Sequence, residues 1–313
     1  MSDGLAARAA SGAVASSTGR VRVAVPADAA PDVRRYLRLS QMPHILCPGC
    51  GHGIVAGALL RAISRLGLDP DAIAVVAGIG CSSRLAGYLD FCTLHATHGR
   101  APAFATGLKL ARPDLHVIVI TGDGDGLAIG GNHLIHAARR NIDLTCLLFN
   151  NEVYGMTGGQ LAPTTREGGV ATTAPYGNVE PPFDACRLLA AAGATFVARG
   201  LASQPLALEE MLARALAHRG FAFVEVLTDC PEFHGRYNRL GSGAAMLLGQ
   251  IRATAAVEAH LAPLHSTVLH PGPPPMRPPV ETGVLVQTTR PEFGERLRAA
   301  AARWAGARED HGP

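Results

Sequence analysis

The chain has 313 residues, 48% hydrophobic and only 17% charged, so it can bury a large core and is not disordered over most of its length. Its formal net charge of +3 comes from interspersed acids and bases, without a basic stripe carrying aromatics, which argues against a nucleic-acid partner. No apolar run approaches the roughly 18 residues of a membrane-spanning helix and no secretory pattern opens the chain, so no membrane is expected and the expected location is cytoplasmic.

Residues 1–36 are rich in Ala, Ser, Gly and Arg and read as a flexible or partner-docked N-terminal extension. A transit peptide is the competing reading, suggested by the lack of acids between Asp3 and Asp28. From Gly51 to about Leu66 the spacing predicts a helix with Ile54, Ala58, Leu59 and Ile63 on one face, and Ile73 to Val76 then reads as a strand. Strand and helix go on alternating. Strands are predicted over His116 to Thr121, Leu144 to Phe149, Thr195 to Ala198 and Phe221 to Leu227. Helices are predicted over Ala128 to Arg139, Asp184 to Ala192 and Leu206 to His218. Repeated βαβ units imply an α/β fold with a doubly wound, mostly parallel sheet, occupying residues 37–262. Residues 263–313 read as a Pro-rich connector (HPGPPPMRPP) and a last helix over Glu292 to Ala307.

Two of the strands run into ligand-type text: Gly122-Asp123-Gly124-Asp125-Gly126 after one and Asn150-Asn151 after the next. In a doubly wound sheet both lie at the carboxyl ends of strands, where ligands bind. Asp123 offers a hard carboxylate oxygen, Asn151 an amide oxygen, and the glycines let a diphosphate approach the backbone, which together describe a Mg²⁺-diphosphate cradle. We nominate the Val153 carbonyl as the backbone ligand of that ion. The bland alternative is a flexible turn and an ordinary loop. A nicotinamide fingerprint at Gly51, Gly53 and Ala56 lacks the preceding strand that it requires.

There are seven cysteines, and in a cytoplasmic chain their spacing suggests thiols or metal ligands rather than disulfides. Cys47 and Cys50 have C-x-x-C spacing, Cys81 follows the next strand, and Cys230 follows the last one. Four such thiolates suit a structural zinc or a [4Fe–4S] cluster, and spacing does not choose between them. A redox dithiol of Cys47 and Cys50 would leave Cys81 and Cys230 unexplained. Cys92, Cys146 and Cys186 are expected to fill core space.

From about Leu39 to Gly241, the motifs CPGCGHG, GIGCSSR, HGRAPAFATGLK, TGDGDGLAIGGNH, NNEVYGMTGGQ and DCPEFHGRYNRLG resemble the β subunits of 2-oxoacid:ferredoxin oxidoreductases, the last being similar to those assigned to 2-oxoglutarate. The resemblance implies a thiamine-diphosphate-binding fold and one [4Fe–4S] cluster held by Cys47, Cys50, Cys81 and Cys230. It implies Asp123, Asn151 and Val153 as magnesium ligands. Gly122, Gly124, Asp125, Asn150, Tyr154, Gly158, Gly159 and Gln160 are expected around the cofactor. His52 and His98 lie in segments resembling the active-site loops, and Arg84 is the candidate for the distal carboxylate of 2-oxoglutarate, since a guanidinium grips a carboxylate in two places. The implied reaction is a coenzyme-A-dependent oxidative decarboxylation with electrons leaving through the cluster to ferredoxin. An α subunit would supply the pyrimidine-binding domain, in an αβ or (αβ)₂ assembly. Two other readings stand beside this one: a non-redox thiamine-dependent lyase or synthase with structural zinc, and a non-catalytic, zinc-stabilised interaction subunit.

Overall fold

The structure is a computed structural model that describes residues 31–256 and 280–309. Most of the expected N-terminal extension and the Pro-rich text lie outside the described residues. In chain order the elements begin with helices α1 (Pro31–Arg34) and α2 (His52–Leu66), strands β1 (Ile73–Ala77) and β2 (Cys92–His95), helix α3 (Ala101–Ala111) and strand β3 (His116–Gly122). Next come helix α4 (Gly131–Arg140), strand β4 (Leu144–Asn150), the short strands β5 (Val153–Tyr154) and β6 (Gln160–Leu161), helix α5 (Ala185–Ala191) and strand β7 (Phe196–Leu201). Helix α6 (Pro205–Ala217), strand β8 (Phe221–Leu227), helix α7 (Gly243–Ala253), strands β9 (Thr254–Ala256) and β10 (Val280–Gln287) and helix α8 (Phe293–Glu309) complete the series.

Eight strands form one sheet in the order β2-β1-β3-β4-β8-β7-β10-β9, and β5 pairs with β6 apart from it. The six strands from β2 to β7 run parallel, whereas β10 joins β7 antiparallel. The central strands are apolar on both faces because both are covered. Ile118, Ile120, Leu147 and Phe149 belong to one core layer with residues of α2 and α6; Val117, Val119, Cys146 and Leu148 belong to the other, with residues of α3, α4 and α5. Fully burying such a side chain is worth about 1.5–3 kcal/mol, so this alternation fixes which residue of each strand faces which helix layer.

Several expectations change. Helix α2 turns the predicted Ala58, Leu59 and Ile63 into the core together with Val55 and Ala62, while Ile54, placed on the same face, is exposed. Cys92 lies exposed on the edge strand β2 and fills no core space, unlike the buried Cys146 and Cys186. The segment expected to be only connector and helix contributes β10 to the main sheet. At the other end, Tyr36, placed in the extension, is fully buried in the core.

The chain runs from β1 outward to β2 and then returns to place β3 on the other side of β1, which makes the β1/β3 boundary a topological switch point. A crevice opens there at the carboxyl ends of the strands.

Candidate functional site

Three segments meet in that crevice: residues 79–82 after β1, residues 122–125 after β3, and Asn151 with residues 153–157 after β4, joined by His52 and His98. They enclose a cavity of about 250 Å³.

Asp123 is buried. It accepts a backbone hydrogen bond from Gly124 at 2.9 Å and one from the Thr164 hydroxyl at 2.7 Å. Burial pushes its carboxyl up to about 7, with the nearby Glu152 adding to the rise against those two hydrogen bonds, so a cation beside it would favour the carboxylate form. The Tyr154 ring stands where a Cβ of Gly124 would be, 2.3 Å from its Cε1, and the Tyr154 hydroxyl donates to the Gly124 carbonyl at 3.1 Å. Any other residue at 124 would evict that ring. Ser82 lines the same cavity, and its buried Oγ has no hydrogen-bond partner among the described residues. A buried hydroxyl without a partner beside a glycine loop is what an incoming phosphate oxygen would satisfy.

Asn151 lines the cavity and its side-chain carbonyl accepts from the Val153 amide at 3.4 Å; the Val153 carbonyl already accepts from Gly155 at 3.0 Å. Asp125 also lines the cavity, but its carboxylate is engaged by the chain itself. It accepts from Gly99 at 2.7 Å, Ile79 at 3.1 Å and the Thr121 hydroxyl at 2.5 Å, and lies 2.7 Å from Nδ1 of His98. Its hydrogen bonds tie the loops after β1 and β2 to its own, and it stands as the carboxylate beside His98, whose Nδ1 makes no hydrogen bond among the described residues. Asn150 faces away from the cavity, toward Glu225. Gly158, Gly159 and Gln160 shape the turn into β6 and do not line the cavity; Met156 and Thr157 of the same turn do.

His52 is buried against the Phe149 ring at 5.1 Å, with Nδ1 3.2 Å from the Cys50 carbonyl. Nδ1 must carry the proton to donate there, which leaves Nε2 as an acceptor. Burial lowers its pKa to about 4, so it is a neutral imidazole at physiological pH.

On the far side of Asn151, a second cavity of about 110 Å³ is lined by Cys47, Cys50, Cys81 and Cys230 together with Arg84, Asp229 and Phe233. Helix α2 begins directly after Cys50 because Gly51 turns the chain at φ 82°, and Cys81 and Cys230 follow the carboxyl ends of β1 and β8. Burial first, with the other three thiols and Asp123 adding to it, raises the pKa of Cys81 to about 11; Cys50 and Cys230 are raised chiefly by burial too. A cationic centre bound between these thiols would favour their thiolate forms. Among the described residues no three His, Cys, Asp or Glu side chains are drawn tightly enough to hold a single metal ion. By ligand type, four thiols lining one cavity suit a tetrahedral zinc or a [4Fe–4S] cluster alike. Arg84 is exposed at the rim of this cavity.

Sequence reasoning missed Thr164, Ser82 and Glu225. Thr164 lies 41 positions from Asp123 and no local pattern announces it; Ser82 is next to Cys81 and was legible only as part of that motif.

Residues 78–226 match the family described as thiamine pyrophosphate enzyme, C-terminal TPP binding domain. The chain is 55% identical over 213 residues to a 2-oxoglutarate synthase subunit KorB of Methanothermobacter marburgensis, covering 68% of this chain and 75% of that one. It is 52% identical over 188 residues to a 2-oxoglutarate oxidoreductase subunit KorB of Mycobacterium tuberculosis, covering 60% and 50% of the two chains. A solved 2-oxoglutarate:ferredoxin oxidoreductase from Magnetococcus marinus, with 2-oxoglutarate, coenzyme A and succinyl-CoA bound, superposes with a TM-score of 0.76 at 35% identity over 88% of this chain and 91% of that one.

Proposed function

This chain belongs to the family of 2-oxoacid:ferredoxin oxidoreductase β subunits, of the kind acting on 2-oxoglutarate, and from that premise we propose that its two adjoining cavities hold thiamine diphosphate with Mg²⁺ on one side and one [4Fe–4S] cluster on the other. It is an oxidoreductase subunit: 2-oxoglutarate is oxidatively decarboxylated with coenzyme A, ferredoxin takes the electrons, and an α subunit completes the enzyme. We place that enzyme in the cytoplasm as an αβ or (αβ)₂ assembly.

One observation carries the division of the site: His52, Cys81, Asn151, Gly155 and Met156 line both cavities, so the two chambers share a wall made of the same residues. On the cofactor side, Asp123, Asn151 and the Val153 carbonyl hold the magnesium ion. The backbone of Gly122 and Gly124 and the Ser82 hydroxyl receive the diphosphate. When bound, thiamine diphosphate supplies the electron sink that lets a 2-oxoacid lose CO₂. On the other side, Cys47, Cys50, Cys81 and Cys230 hold the cluster, which supplies one-electron capacity. The neutral His52 offers Nε2 as a hydrogen-bond acceptor to substrate. His98, beside Asp125 in the same cavity, orients substrate. Arg84, exposed at the rim of the cysteine cavity and outside the lining of the cofactor cavity, receives the distal carboxylate of a 2-oxoglutarate that reaches across the shared wall, and its charge selects a dicarboxylate over monocarboxylate analogues.

Anaerobic purification with the partner subunit tests the division. Iron and acid-labile sulfide are expected, with a visible absorbance that bleaches when 2-oxoglutarate and coenzyme A are added. Colourless, iron-free protein that binds zinc would replace the redox assignment by a lyase or synthase with a structural zinc.

A further inference from the structure

Gly155 sits in the wall between the cavities and faces both. A Cβ built on it would stand 3.3 Å from Cys230 Sγ, 3.6 Å from Cys81 Sγ and 3.7 Å from the side-chain nitrogen of Asn151. Those are the sulfurs of two chain segments far apart in sequence and the amide of a proposed magnesium ligand, gathered round one hydrogen atom. The backbone does not require glycine here. Gly158 and Gly159 in the same turn have φ of 116° and 88°, but Gly155 is absent from the positive-φ glycines, so an alanine is conformationally allowed at 155. Nor is the turn free to swing aside: the Gly155 amide donates to Val153 at 3.0 Å and its carbonyl accepts from Gly158 at 3.3 Å. The space beyond the α-carbon is the one reason the structure offers for glycine.

We infer that Gly155 is the spacing residue of the site, its missing side chain letting the sulfur-bound centre and the magnesium-anchored cofactor share a wall a single backbone thick. This rests on the reading that Cys81 and Cys230 carry the cluster and Asn151 the metal. A methyl group at 155 meets Cys230 Sγ at the tight end of van der Waals contact, and a pinned turn cannot relieve it. Because the contact falls on sulfur, the strain goes to the cluster ligands before it reaches the diphosphate cradle. Gly155 is therefore a positioning residue, acting through Cys230 and Cys81.

The test compares the parent complex with Gly155→Ala, both purified anaerobically with the partner subunit. The variant is expected to stay folded with a thermal midpoint lowered by at most a few degrees, to keep its affinity for thiamine diphosphate and Mg²⁺, to show an altered electron paramagnetic resonance signal of the reduced cluster, and to lose iron to a chelator about tenfold faster. A variant whose cluster spectrum and iron loss match the parent overturns the inference while leaving the cluster reading intact. A parent that holds no iron overturns both. A second measurement needs no variant. If the wall is one backbone thick, binding the anionic cofactor with Mg²⁺ to the parent moves the cluster's midpoint potential, and an unmoved potential overturns the inference even if Gly155→Ala fails to fold.

Discussion

Glu225 accepts a hydrogen bond from the Asn150 side-chain amide at 2.7 Å and another from Arg199 at 2.6 Å, and all three residues are buried below the loop that carries Asn151. The Asn150 side-chain carbonyl in turn accepts from the Glu152 amide at 3.2 Å, where the backbone takes a φ of 59°. The first asparagine of the pair thus sets the turn from which the second reaches the cavity. Arg199 extends the chain of contacts to Asp184 at 2.6 Å and to the Glu281 carbonyl at 3.1 Å, so strand β10 is anchored to the same network.

Asn150→Ala should therefore damage cofactor binding without removing a ligand. It strips Glu225 of one partner and frees the Glu152 amide, a loss of about 1–3 kcal/mol for a buried group left unsatisfied. Calorimetric titration with thiamine diphosphate and Mg²⁺ should show affinity lowered by about 10- to 100-fold, the usual cost of losing a group that orients a metal ligand. Unchanged affinity would mean that the loop holds its shape without Asn150.

The seven cysteines should divide sharply on substitution. Cys81→Ser removes one of the four thiols lining the second cavity and should abolish stable iron binding, measured as iron and sulfide per chain. Cys92→Ser changes an exposed residue on an edge strand and should leave iron content, activity and thermal midpoint at the parent's values. Loss of iron from the Cys92 variant would require a different ligand set.

The order of strands and helices was legible because central strands of a covered parallel sheet are apolar on both faces, and the strand predicted over Phe221 to Leu227 coincides with β8. Edge strands carry no such signal. In β2, Cys92, Leu94 and His95 are exposed, and β10 is only half-buried against β7, so neither stood out from loop text. The motif asparagines and aspartates were legible as a group but not as individuals. Asn150 and Asn151 are adjacent and chemically identical, yet strand alternation sends one side chain toward Glu225 and the other into the cavity. Asp125 is likewise indistinguishable from Asp123 in sequence. Its partners, Gly99, Ile79 and Thr121, come from three separate segments that only the folded sheet brings together.

Arg84 follows Cys81 by three residues, is exposed, and forms no ion pair with the described residues. An unpaired guanidinium at a cavity mouth is available for a substrate carboxylate. Arg84→Ala should lower kcat/KM for 2-oxoglutarate by about 10- to 100-fold, corresponding to the 1.5–3 kcal/mol of a charged hydrogen bond, and should change the value for pyruvate far less. Assay of both acids with a viologen acceptor checks this, and equal losses would assign the arginine to assembly instead of specificity.

Far from the site, His218 offers a pH dependence of stability with a definite sign. It is half-buried at the end of α6, its Nε2 2.7 Å from the Thr195 hydroxyl, in a cavity also lined by Arg214, Arg219 and Arg290. Desolvation lowers its pKa below the ordinary 6.5, against a smaller opposing effect of Asp143. Between the folded and unfolded values the unfolded chain binds more protons, so stability falls as the pH drops through 6.5 and levels off below the folded pKa. His218→Gln keeps an amide to meet Thr195 but cannot titrate. Thermal midpoints of the purified complex measured at about pH 7.5 and about pH 5.5 should therefore fall less for the variant than for the parent. Parallel falls would show that His218 is already exposed to protons in the folded state.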